Sequence, residues 1–310
     1  MKKTAVLCLS LVLLLVWGAV PAFSWGSATH AYILGKIGKR LPLANANEVY
    51  GVMGTDIFNY VFTLTPEQMM FVNSYTHGAP GDEAFMEVWK KAKWWGYEKS
   101  LAYGYVAHNE VWGCDSTAHI LALTTGVSEG YVITKARILA MYLNGALAQN
   151  GMSLPDEIVF MLAHNLIENA GDILLLRADP LIGQKIIAAC VLRSKDFPEL
   201  VTRAMGKDWK DAVFAAEKEF QKMMILYGAA LMQGEQTAIQ TLSAQIAQLG
   251  VEYVKVMTGG EVVIPLEVAV QLATYGTVKG MEICAPDYMT EVNATVGFVK
   301  RNLALHNVRY

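Results

Sequence analysis

Tyr105-Val106-Ala107-His108-Asn109-Glu110-Val111-Trp112-Gly113-Cys114-Asp115-Ser116-Thr117-Ala118-His119 is the stretch whose reading decides the fold. It lies within an apolar run, 99–124, that reads as one helix with Gly113 as its weak point. At about 100° per residue, Asp115 and His119 each fall within about 20° of His108 on one face. A polar row inside an apolar helix needs partners, because a buried polar group without one is costly. Two accounts fit: the row ligates metal, or each side chain is satisfied separately.

The flanking chain is largely helical. Helices are expected at 28–40, after an N-cap at Thr65, over 82–96 with Trp89, Trp94 and Trp95, and over 132–148. Ser153-Leu154-Pro155-Asp156-Glu157 opens another that carries His164 and Glu168. Further helices are expected at 181–193, 209–232, 234–248, 265–278 and 287–303. Residues 45–59 read as mixed, with Asp56 after the turn Gly51-Val52-Met53-Gly54, and His77 falls in a loop. Only 250–264 hints at a short β-hairpin, through Val251, Tyr253, Val254 and Val256, a Gly259-Gly260 turn and Val262-Val263-Ile264. The expectation is an all-α, multi-helix bundle. A soft boundary near Asp196–Leu200 separates a site-bearing domain, 25–200, from a helical extension, 201–310, whose helices read as packing material and whose His306 reads as a surface residue.

The chain has 310 residues, 54% hydrophobic and 17% charged, enough for a sizeable core. Lys2-Lys3, an apolar stretch from Ala5 to Val16 and the small-x-small Ala22-Phe23-Ser24 read as a signal peptide, 1–24, cleaved after Ser24. The mature protein is then secreted or periplasmic and begins at Trp25. An uncleaved membrane anchor is the rival reading, weakened by the shortness of the apolar stretch. The net charge of −3 includes two leader lysines, no basic patch follows, and stable nucleic-acid binding is not expected. Cys114, Cys190 and Cys284 allow at most one disulfide and form no thiolate zinc motif. Any metal must therefore be held by imidazole and carboxylate.

His164 and Glu168 are four apart and share a helix face, as do Asp115 and His119. Two helices offering such pairs can converge on cations. Imidazole and carboxylate without thiolate suit zinc, with iron and manganese as alternatives. The order Trp25, His30, Asp56, His77, His108, Asp115, His119, His164, Glu168 resembles the zinc-dependent phospholipase C family, to which the fungal single-strand nucleases are related through a shared all-helical, three-zinc fold. In that family the mature N-terminus is a Trp whose amine and carbonyl bind zinc beside a nearby His, as Trp25 and His30 would.

The resemblance covers residues 25–168 and implies up to three zinc ions. Trp25, His30 and a bridging Asp115 would hold one; Asp56, His77, His108 and Asp115 a second; His119, His164 and Glu168 a third. It also implies that Asp56 is a catalytic base in phosphodiester hydrolysis. The substrate implied is a phospholipid or other phosphodiester, with peripheral membrane contact. A single-strand nuclease and a non-enzymatic metal- or lipid-binding relative are the alternatives. One departure stands out: the family spaces its central His and Asp four apart, whereas His108 and Asp115 are seven apart. On a straight helix that is about 10.5 Å, too far to share an ion. Either residues near Glu110–Gly113 are looped out, which Gly113 favours, or the first site is altered or lost. Phe58, Tyr60, Phe62, Trp94, Trp95 and Tyr97 are expected either to line the mouth of the site or to be ordinary packing aromatics.

Overall fold

The computed structural model describes residues 25–310 apart from residue 62 and the side chain of Tyr60; the expected leader and its cleavage site lie outside the described residues. The described residues are all-α: thirteen α-helices, two 3-10 turns and a π-turn, with one isolated bridge between Ala79 and Asp82 in place of any sheet.

α1 (Ser27–Ile37) and α2 (Pro42–Gly54) form the first layer, and α2 runs into a 3-10 turn, Thr55–Tyr60, that carries Asp56. α3 (Pro66–Thr76) starts at Thr65, whose hydroxyl accepts from the Gln68 amide while the Gln68 side chain accepts from Thr65, a reciprocal cap. α4 is short (Met86–Lys91), because 92–97 leaves the helix in a loop that turns at Gly96 with φ 72°. α5 (Glu98–His108) lies against α2 through Gly51 and Gly104. A Cβ on Gly104 would collide with the Glu48 carbonyl, and one on Gly51 with that of Leu101, so the two backbones touch.

α6 (Tyr131–Gln149), α7 (Asp156–Leu175), α11 (Glu235–Met257) and α12 (Leu266–Cys284) pack together. α8 (Ile182–Leu192) and α10 (Lys210–Met232) pair behind α2, linked by α9 (Phe197–Met205). α13 (Tyr288–Leu305) returns to pack on α1. One apolar core runs from Trp25 to Val308, and Phe197 and Leu200, near the expected soft boundary, are fully buried in it.

Two expectations are corrected. The hairpin at 250–264 does not form: Val251–Val256 continue α11, with Val254 buried and Val256 outward, and the chain turns only at Gly259 and Gly260, with φ 60° and 83°. β-propensity there yields to tertiary packing of the helix. The run 99–124 is also not one helix, since α5 stops at His108.

Candidate metal centre

Where α5 stops, Asn109 serves both sides of the break. Its Nδ2 donates to the Val106 carbonyl at 2.7 Å, satisfying an acceptor at the end of α5. Its Oδ1 accepts from the amides of Val111 and Trp112 at 2.8 Å and of Gly113 at 3.2 Å, capping the next turn. Gly113 is packed so closely that a Cβ would lie 2.6 Å from the carbonyls of Ala107 and Asn109. The break draws Asp115 back towards His108, to 2.9 Å between Oδ2 and Nε2. After it, Ser116–Ile120 forms a π-turn closed by Leu121 N–H on Ser116 C=O at 2.9 Å, which carries His119.

Five of the expected residues meet in one buried cluster. His30 Nε2 lies 3.2 Å from Asp115 Oδ1, so each oxygen of Asp115 faces a different imidazole. His77 Nε2 is 3.6 Å from Asp115 Oδ2 and 3.4 Å from Asp56 Oδ1, and His108 Nε2 is 3.5 Å from that same Asp56 oxygen. Asn59 Nδ2 donates to Asp56 Oδ1 at 2.9 Å.

The outer hydrogen bonds set the tautomers. His108 Nδ1 lies 2.9 Å from the Val52 carbonyl, which can only accept, so Nδ1 carries a proton. The Thr76 hydroxyl gives its hydrogen to Val72 C=O, so at 2.8 Å it accepts from His77 Nδ1. In the neutral rings both Nε2 atoms then present lone pairs to each other at 3.2 Å. Neither oxygen of the fully buried Asp115 accepts a hydrogen bond. Converging lone pairs and an unsatisfied carboxylate are what a cation relieves.

The second cluster holds His119, His164 and Glu168, with ligand atoms within 4.8 Å of one another. His164 Nε2 is 2.7 Å from Glu168 Oε1. His119 Nδ1 pairs with Glu110 Oε1 at 2.9 Å, which leaves its buried Nε2 without a hydrogen bond. Glu110 thus orients a ligand, as carboxylates behind metal-bound imidazoles do.

The charges tell the same story. Burial alone would lower His108, but Asp115 and Asp56 outweigh it and raise it to about 9, which marks a strongly negative surrounding. Burial would raise Asp115, but His108 and His30 hold it well below the usual carboxylate range. Burial pushes Glu168 well above its ordinary value, and Asp56, Asp115 and Asp172 add to the push. Four acids sharing this volume call for cations.

Trp25 is buried at the edge of the centre. Its indole Nε1 lies 3.0 Å from both Cys114 O and Thr117 Oγ1, and its ring stacks on Tyr131 at 5.4 Å. Asp172 caps the start of α1 by accepting from the amides of Ala28 and Thr29 at 2.7 and 2.9 Å, and it also accepts from Tyr227 Oη. Trp25, Asp56 and Glu168 line one cavity of about 160 Å³.

The structure therefore brings His30, Asp56, His77, His108 and Asp115 into one group and His119, His164 and Glu168 into another, with Trp25 alongside. These buried His and carboxylate groups can hold metal ions. Comparison with protein-family models, with curated proteins and with solved structures found no match.

Of the two expectations for the aromatics, packing holds for Phe58, and lining the mouth does not hold for Trp94 and Trp95. Phe58 is core, edge-on to Trp209, while Trp94 and Trp95 stand in solvent; Phe62 and the Tyr60 side chain lie outside the described residues. The cavity wall is instead Met161, Leu162, Met223, Leu242, Ile246 and Tyr253 from α7, α10 and α11. The C-terminal helices are thus more than packing material. His306 is half-buried, stacked on Trp112 at 4.4 Å. Sequence reasoning missed Asn109 and Thr76 altogether. Glu110 points away from His108 and towards His119.

Proposed function

We propose that the chain is a secreted zinc-dependent phosphodiesterase, phospholipase C-like, that hydrolyses phospholipids. The observation that carries the reading is Asp115, buried, straddled by His30 and His108, and accepting no hydrogen bond. That is the setting of a carboxylate shared between two cations. The nitrogen and oxygen donor set without thiolate fits zinc.

His30 and Asp115, with Trp25, would hold one ion; Asp56, His77, His108 and Asp115 a second; His119, His164 and Glu168 a third. Bound zinc would supply Lewis acidity, lowering the pKa of water and offsetting phosphate charge. Asp56, steadied by Asn59 and reaching the cavity, is placed to accept the proton of the water that attacks phosphorus. The bond from phosphorus to the lipid alcohol breaks, and the alcohol takes up a proton. Val52, Thr76 and Glu110 hold His108, His77 and His119 in the tautomers that ligation needs.

Apolar walls and the absence of Lys or Arg among the described lining residues favour a lipid over single-stranded nucleic acid. Trp94 and Trp95, 70% and 73% exposed and next to Lys90, Lys91 and Lys93, support peripheral contact with a bilayer. The test is metal analysis of the mature protein, then chelation and zinc readdition while hydrolysis of phosphatidylcholine and of single-stranded DNA is followed. Loss and recovery of lipid hydrolysis is expected; a protein that binds no metal refutes the proposal.

A further inference from the structure

The cavity beside the centre abuts a second one of about 60 Å³, and Leu162, Ile246 and Gly250 line both. The second is lined by apolar residues only, among them Leu143, Leu166, Val254 and Ile264. The first, of about 160 Å³, is of a size for one hydrocarbon chain of medium length rather than two. Its polar end has a distinctive feature. Asn165 and Asn169 lie on the same α7 face as Glu168 and line the cavity, and the Oδ1 atoms of both are buried without a hydrogen-bond donor. Asn169 is 5% exposed, and its Nδ2 is engaged by Thr277 Oγ1, so its oxygen is left for a ligand.

Resting on the phosphodiesterase reading above, we propose that this pair of cavities is the subsite for a single-tailed phosphodiester amphiphile with a free hydroxyl beside the phosphoester, a lysophospholipid. The phosphoester sits at the Asp56–Glu168 end, the hydroxyl donates to Asn165 or Asn169, and the tail passes Ile246 into the inner cavity. Burying each methylene favours binding until the slot is full.

The experiment measures binding and hydrolysis by the zinc-loaded mature protein for lysophosphatidylcholines from hexanoyl to palmitoyl. Alkylphosphocholines of the same lengths, which lack the hydroxyl, and two-tailed phosphatidylcholine are run beside them. Affinity is expected to rise about fourfold per methylene and then level off. The hydroxyl is expected to add about fivefold or more, an increment that Asn169→Leu and Asn165→Leu each diminish. Ile246→Trp is expected to bring the levelling to shorter tails. Affinity independent of tail length, or two tails bound as tightly as one, overturns the subsite. Length-dependent binding without hydrolysis keeps the subsite and removes the phosphodiesterase reading; hydrolysis without length dependence does the reverse.

Discussion

Asn109 shows how much one amide can carry. Three backbone donors and one carbonyl depend on it. Asn109→Ala is expected to cost about 2 kcal/mol or more, and to lower retained zinc, because the 109–113 turn no longer holds Asp115 near His108. Thermal melting and metal analysis read both; an unchanged melting temperature and metal content would remove the role given to this residue. The free thiols make a second residue-scale prediction. Cys114, Cys190 and Cys284 are buried and unpaired, and burial pushes Cys190 and Cys284 up to about 12. Thiolates are then scarce through pH 8, and a thiol reagent should label none of the three in the folded mature protein and all three after denaturation. The histidines and acids were readable in the sequence because polar groups in apolar segments announce themselves. Asn109 was not, since its work is done on backbone groups whose positions follow from a break that no periodicity marks.

Elements place the ligands by how closely they approach. His108 reaches the Val52 carbonyl only because α2 and α5 touch at Gly51 and Gly104. Gly104→Ala puts a methyl against the Glu48 carbonyl, so the helices must separate. A loss of about 1–3 kcal/mol is expected, with weakened zinc binding, measured by chemical denaturation and titration. Gly145, with open space around its Cβ position in α6, is the control, and Gly145→Ala should be neutral or mildly stabilising. Helix identity over 131–149 and 156–175 was legible from apolar spacing, whereas the capped start expected at Ser153–Glu157 is not made: the second helix begins after Pro155 with no side-chain cap. The hairpin reading at 250–264 failed because Val251 and Val254 pack inward as part of a helix while Val256 faces out, and a period of two over so few residues is weak against a 23-residue helix. The break after His108 was legible only as a geometric necessity, through the seven-residue spacing to Asp115.

At the scale of the whole molecule, the two ligand clusters draw on α1, the 3-10 turn after α2, α3, α5, the π-turn and α7, so ligand binding is coupled to the global fold. Zinc held only by the native state, as proposed, would stabilise it by mass action. Chelation is expected to lower the melting temperature by several degrees or more, and zinc, but not magnesium, to restore it. Scanning calorimetry with and without chelator decides the matter, and an unmoved transition would uncouple the clusters from any ion.

The last helix bears on the order of events. Thr29 bonds Tyr288, Thr117 lies 2.9 Å from Thr295, Glu291 receives the amides of Leu123 and Thr124, and Glu48 bonds the final Tyr310. Segments 29–124 and 288–310 are therefore mutual supports, joined across 167 to 262 residues of chain. Closing so wide a loop is slow. Until α13 docks, the histidines would be held in a loose hand, and maturation of the centre waits for that helix.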